Sequence, residues 1–161
     1  MLTTHQLLNG LPADETLRFF ATFARFEFAM KQCGFLRRTH HNRVAEACRE
    51  ILSANLPGDF FEAVRDAQIA PILIQRPPKN LFVQAGARPN FGNELPELSN
   101  TRQLLDAVWQ VRNNLFHGNK LYPANRDRDM ALMDNTLAVI DAIMQRDRDL
   151  SSAFHDPQQF F

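Results

Sequence analysis

Apolar residues recur at helical spacing near the amino terminus of the chain. After Pro12 and Asp14, which suit the start of a helix, they return every three or four positions until Gly34. One apolar line consists of Phe19, Phe23, Phe26 and Met30. A second line consists of Leu17, Phe20, Ala24 and Phe28. Because both lines are apolar, we expect this helix either to be central in a bundle or to line a dimer interface as well.

Three shorter segments follow this helix. A second helix is predicted over about 42–56, where Asn42 can cap it and Pro57 ends it. A third is predicted over about 59–67. The next apolar run contains Pro71, so it is either an extended segment or a broken helix.

Two long helices are predicted in the second half of the chain. The first runs from about Thr101 to Phe116 and the second over about 125–146. The proline-rich segment 76–99 and the tail 149–161 show no clear periodicity, and we expect both to be irregular. This order of elements predicts an all-α fold in one domain spanning residues 1–161.

Composition and charge narrow the class of protein. The 161 residues contain no apolar run of membrane-spanning length and no amino-terminal secretory signal, so a soluble cytoplasmic protein is expected. The 18 Lys and Arg residues balance the 18 Asp and Glu residues, so a nucleic-acid role would have to rest on a local patch. Arg76, Lys79 and Arg88 form such a patch in the irregular segment, and a solvated loop is the alternative interpretation.

Neither the cysteines nor the histidines predict a metal site. Cys33 and Cys48 lie on separate predicted helices without the spacing of a metal-binding pair, so we expect buried free thiols. His40 and His41 lack a completed set of ligands and are expected on a helix surface. No metal and no cofactor are therefore predicted.

The most informative segment is the end of the helix that begins near Thr101. Arg112 falls inside the apolar arc of this helix, so its permanent charge must be paired, open on a cleft or face another subunit. Asn113 and His117 are four positions apart and share a face, where the Asn amide can orient the imidazole. The alternative is structural, with Arg112 paired to an acid and His117 placed at a helix end without a chemical task. That acid would be Asp106, Asp134 or Asp141.

The run from Arg112 to His117 resembles the signature of the HEPN superfamily, the nucleotide-binding domain named from higher eukaryotes and prokaryotes. In that superfamily an Arg, commonly followed by a polar residue, precedes a His by four to six positions. Here Asn113 follows the Arg, and His117 stands five positions after it. The resemblance implies a bundle of four or five helices that dimerises, as in toxins and phage-defence effectors of the superfamily.

The resemblance also implies an activity and a site. Many members are metal-independent endoribonucleases that join the Arg and His of both subunits in one cleft. By this analogy Arg112, His117 and Asn113 are the expected catalytic residues. His117 would transfer protons during attack of the ribose 2′-hydroxyl, Arg112 would stabilise the phosphoryl charge, and Asn113 would orient the imidazole or contact phosphate. Lys120 joins Arg76, Lys79 and Arg88 as an expected RNA-binding residue.

The expected partners follow from the same analogy. They are an RNA substrate, a second copy of the chain, and an antitoxin or nucleotidyltransferase that neutralises it, whereas no DNA and no membrane are expected. The tyrosine that such a nucleotidyltransferase modifies in a toxin subgroup is replaced here by Asn119. Two other functions stay open: a non-catalytic HEPN module that binds RNA or a nucleotide, and a helical protein-interaction domain.

Overall fold

The computed structural model describes residues 1–8, 10–37, 40–83, 89–116, 126–156 and 158, and the regular structure in these residues is mostly helical. The helices are α1 (Thr4–Leu7), α2 (Ala13–Gln32), α3 (Arg49–Asn55), α4 (Phe60–Asp66), α5 (Pro71–Gln75), α6 (Thr101–Phe116), α7 (Arg126–Arg146) and α8 (Arg148–His155). Two short antiparallel strands, β1 (Leu81–Phe82) and β2 (Asn90–Phe91), complete these elements. The all-α class predicted from the sequence agrees with this mostly helical structure.

The three long helices share one apolar core. Helix α2 packs against α7 and α8, whereas α6 packs against α3, α4, α5 and α7. The predicted line of α2 is buried and consists of Phe19, Phe23, Phe26 and Met30. The facing residues of α6 that are buried include Leu104, Leu105, Val108 and Val111. Burial of these stripes supplies the main favourable free energy of folding.

The second apolar line of α2 is less buried than the first. Leu17 is 69% exposed and Ala24 is exposed, whereas Phe28 is partly buried and Phe20 packs against the edge of the core. The part of this line that carries Leu17 and Ala24 therefore remains at the surface of the single chain.

The predicted helix over 42–56 is too long at its amino-terminal end. Leu36 forms an antiparallel bridge with Ala47, and the backbone N–H of Cys48 donates to the carbonyl of Phe35 at 2.8 Å. These contacts hold the chain extended until α3 begins at Arg49. The apolar stripe of the predicted helix therefore does not form over 42–48, and Val44 is 82% exposed.

The segments on either side of Pro71 are helical. Helix α4 confirms the helix predicted over 59–67. Pro71 occupies the first turn of α5, where a missing N–H leaves no helix hydrogen bond unmade. The broken-helix alternative is thus the one that the structure adopts.

The segment 76–99 contains a small ladder and is tied to the helices. Leu81 pairs with Phe91, and Phe82 pairs with Asn90. Asn114, only 2% exposed, donates from its side chain to the carbonyl of Lys79 at 3.0 Å. The prediction of an entirely irregular segment is therefore wrong at this ladder, which sequence spacing does not reveal because each strand has two residues.

The expected irregular tail is helical over much of its length. Helix α8 buries Leu150 and Ala153 against the core. Asp147 caps it, because its carboxylate accepts the N–H of Leu150 at 2.9 Å. The prediction for 149–161 is wrong for the residues up to His155.

No helix in the described part of the chain is both long enough and apolar enough to cross a membrane.

Candidate functional site

Arg112 lies in the penultimate turn of α6, at the surface where α6 meets α2. Its side chain is 28% exposed. Its Nη2 donates to Oε2 of Glu27 at 3.4 Å, and Nη1 donates to Oδ1 of Asn113 at 2.9 Å. The guanidinium carbon also stands 5.7 Å from the ring centroid of Phe23. These contacts hold the guanidinium in one orientation while leaving part of it accessible to solvent.

Glu27 joins two groups of α6. Besides accepting from Arg112, its other carboxylate oxygen accepts the indole N–H of Trp109 at 3.3 Å. Trp109 is buried and meets Phe23 edge to face, with ring centroids 5.2 Å apart. The carboxylate is therefore anchored by a buried indole on one side and a partly exposed cation on the other. Sequence reasoning missed Glu27, because nothing in local spacing links it to a residue 85 positions away.

The acids expected to pair with Arg112 lie elsewhere. Asp134 and Asp141 are exposed. Asp106 pairs with Arg49 of α3 and with Arg102 at 3.3 Å. Of the three alternatives predicted for Arg112, the structure shows pairing with an acid, and that acid is Glu27 of α2.

Asn113 contacts Arg112 directly, a role that the sequence did not predict. Of the i, i+4 pair expected between Asn113 and His117, Asn113 lies within the described residues and His117 lies outside them. His117 is the residue that follows the carboxyl-terminal end of α6 at Phe116. Of the predicted catalytic residues, the structure therefore describes Arg112 and Asn113 and brings these two together.

Two of the four predicted RNA-binding residues, Arg76 and Lys79, lie within the part of the chain that the structure describes. Arg76 is exposed, and Lys79 stands 3.9 Å from Glu94 with its side chain 34% exposed. Arg88 and Lys120 lie outside the described residues. Asn114 holds the backbone of Lys79, and positions 112 and 114 are about 200° apart on a helix. The structure thus anchors Lys79 on a different face of α6 from the one that carries Arg112.

A cavity of about 320 Å³ lies between α3, α6 and the segment 76–99. Its walls include Arg49, Pro78, Leu95, Asp106 and Gln110. Neither Arg112 nor Asn113 is among its lining residues. We call Arg112, Asn113, Glu27 and Trp109 the Arg112 cluster. The cavity is therefore separate from this cluster.

The polar wall of that cavity continues into a charge network between α3 and α6. Glu50 accepts from Arg102 at 3.1 Å and lies 3.7 Å from Arg49. A hydrogen bond from its own backbone N–H lowers the pKa of the Glu50 carboxyl. Burial opposes this effect as the second-largest cause, and the Cys48 thiol and the charges of Arg49 and Arg102 lower that pKa further. Glu50 therefore stays ionised at neutral pH.

The metal-ligating residue types do not cluster in the described part of the chain. No group of three or more His, Cys, Asp or Glu residues stands close enough there to hold a metal ion. Cys33 and Cys48 are free thiols, and burial is the main cause that raises the pKa of Cys33. His40 and His41 are exposed, in a loop rather than on the predicted helix surface.

Chemically, the Arg112 cluster presents a positioned cation. A guanidinium carries five N–H donors in a planar fork that matches a phosphate or carboxylate. The contacts with Glu27 and Asn113 fix the plane of that fork.

Comparisons of the chain with family models, with characterised proteins and with solved structures gave no match. The geometry around Arg112 and the motif that contains it are therefore the features that point to a function.

Proposed function

We propose that this chain is a metal-independent endoribonuclease of the HEPN type. The observation that carries the proposal is the oriented, partly exposed guanidinium of Arg112, five residues before His117 near the end of α6. The mostly helical fold supports it at the level of class. Asn113 supports it as well, because its side chain contacts the cation.

The reaction needs no metal. A base takes the proton of the ribose 2′-hydroxyl, whose oxygen attacks the adjacent phosphorus. The bond from phosphorus to the 5′-oxygen breaks, giving a 2′,3′-cyclic phosphate, and an acid protonates the departing oxygen. Imidazole titrates near neutral pH, so His117 suits proton transfer. Arg112 stabilises the charge that builds on the non-bridging oxygens.

The site is completed in a homodimer. Two-fold symmetry brings two copies of the motif together, so that one His117 acts as base and the other as acid. The surface face of α2 with Leu17, 69% exposed, is an apolar surface that a second copy can cover. An RNA target and a neutralising antitoxin or nucleotidyltransferase belong to the same proposal, as does action as a toxin or phage-defence effector.

Cleavage of end-labelled RNA in excess EDTA tests the proposal. Arg112→Ala is expected to lower the rate about 10²- to 10³-fold, and His117→Ala about 10²- to 10⁴-fold. Both variants must remain folded and keep the oligomeric state of the wild type, and Arg112→Ala should melt slightly lower because it loses the ion pair with Glu27. Matched controls are Arg18→Ala and His155→Ala, which remove the same residue types from exposed positions and should retain full activity. Binding of RNA without cleavage by the wild type would instead support the non-catalytic HEPN module.

The ion pair with Glu27 favours one other function, a helical interaction module. In that case Arg112 joins α6 to α2 and the apolar surface of α2 docks a partner protein. The two functions predict different results for His117→Ala. An interaction module loses assembly with its partner in Arg112→Ala, keeps every property in His117→Ala and leaves RNA intact.

A further inference from the structure

The chain between α2 and α3 forms an exposed loop on a fixed base. We call Arg37 and residues 40–46 the basic loop; Arg38 and Thr39 lie outside the described residues and are not part of it. The backbone N–H of Arg37 donates to the carbonyl of Glu46 at 2.9 Å, and Leu36 bridges Ala47. These contacts close the base of the loop. Its described residues are exposed.

The basic loop lies in the densest cationic stretch of a chain that is neutral as a whole. Residues 28–45 contain Lys31, Arg37, Arg38 and Arg43 without a single acidic residue. The acid-free stretch 67–93 carries fewer cations over a greater length, namely Arg76, Lys79 and Arg88. Charge of one sign concentrated in this way attracts a polyanion even when the net charge is zero.

Two guanidinium side chains of the loop line one cleft. Arg37 and Arg43 form its walls with Val44 and Glu46, around a volume of about 180 Å³. This is below the roughly 300–1,000 Å³ typical of pockets for drug-sized molecules. The cleft therefore suits a single small group, such as one phosphate of a longer molecule.

The cations of the cleft are only weakly compensated. Arg37 stands 3.6 Å from Glu46, with side chains 53% and 61% exposed, and such exposed pairs contribute little because water screens them. The exposed side chain of Arg43 makes no hydrogen bond or ion pair with the residues that the structure describes. His40 and His41 extend the polar surface of the loop. An incoming phosphate can therefore engage both guanidinium groups at the cost of one weak ion pair.

We propose that the basic loop binds the phosphate backbone of single-stranded RNA, with Arg37 and Arg43 on either side of one phosphate group. The choice of RNA as the polyanion rests on the proposed function. A membrane surface fits less well, because Val44 is the loop's only large exposed apolar residue and offers little to insert among lipids. Arginine forks suit bidentate phosphate contacts that carry no base specificity.

Binding of an uncleavable RNA tests the loop separately from catalysis. The probe is a fluorescent 2′-O-methyl oligonucleotide of about twenty nucleotides, measured by anisotropy on the full chain between about 50 and 200 mM salt. The test variant is Arg37→Gln with Arg43→Gln. The matched control is Arg18→Gln with Arg25→Gln, which removes the same charge from exposed positions of α2.

The wild type and the control should bind with the same affinity and salt dependence. The test variant should bind about tenfold more weakly, since it loses hydrogen bonds between charged groups. The slope of log affinity against log salt should fall by about 0.7, because both arginines contact a single phosphate of the strand. Unchanged melting temperatures show that each variant is folded.

Equal affinities and slopes for the test variant and its control would overturn the proposal. A wild type that ignores the oligonucleotide but binds phosphatidylserine vesicles through Arg37 and Arg43 would overturn it in favour of a membrane surface. Loop-dependent RNA binding without any cleavage of ordinary RNA would leave the loop assignment intact and contradict the endoribonuclease alone.

Discussion

Arg112 Nη2 stands 3.4 Å from Glu27 Oε2, so the cation of the HEPN-like motif is paired with a carboxylate of another helix. Both side chains are about three-quarters buried, at 28% and 25% exposure. The pair thus both orients the guanidinium and ties α6 to α2. The contribution of this pair to the free energy of unfolding can be measured.

A double-mutant cycle should find a favourable coupling between these two residues. With Glu27→Gln and Arg112→Met, urea unfolding followed by the fluorescence of the single tryptophan is expected to give about 1 kcal/mol, because the pair is largely shielded from water. The control is the cycle for Arg37 and Glu46, whose greater exposure predicts a coupling near zero. Equal couplings for the two pairs would mean that shielding contributes nothing at Arg112.

Removing the cap of α8 should destabilise the whole fold. Asp147→Ala leaves the N–H of Leu150 without its acceptor and is expected to lower the free energy of unfolding by about 1 kcal/mol. Asp147→Asn keeps an acceptor oxygen at the cap and should lose far less. If the two variants lose the same stability in urea, the capping hydrogen bond has no role.

The charge network between α3 and α6 should make stability depend on pH. The folded state lowers the pKa of Glu50 below its usual value of 4.5, chiefly through a backbone hydrogen bond. Its contribution is therefore fully present above about pH 4.5 and is lost as the pH falls through the lower, folded-state pKa.

Urea unfolding of the wild type and Glu50→Gln between pH 7 and pH 3 checks this expectation. The stability difference between the two proteins should be largest at neutral pH and shrink toward pH 3. A difference that stays constant over that range would show that ionisation of Glu50 does not contribute to stability.

The sequence predicts the long helices well because their apolar stripes are long. The line from Phe19 to Met30 repeats over several turns, and each of its members is buried. Helix α8 was missed because only Leu150 and Ala153 of its residues are buried, too few to establish a period. The second helix was predicted too long for the opposite reason. Val44 and Ala47 fit a helical spacing, but the bridge between Leu36 and Ala47 prevents a helix there.

The candidate site was predictable only where it is local. Arg112 and Asn113 stand in a recognisable run, and the need of a buried arginine for a partner follows from physics alone. The identity of that partner does not, because Glu27 reaches Arg112 through the packing of α2 on α6. The basic loop was likewise hidden, since Arg43 was assigned to the helix predicted over about 42–56 whereas Arg37 lies before that helix.

The chemistry of the cleaved RNA ends tests the central claim most directly. Wild-type protein incubated with RNA in EDTA should release fragments that carry a 2′,3′-cyclic phosphate and a 5′-hydroxyl, and both Arg112→Ala and His117→Ala should release these ends at least about 100-fold more slowly. Intact RNA, or fragments with the same ends at wild-type yield from either variant, would contradict the account.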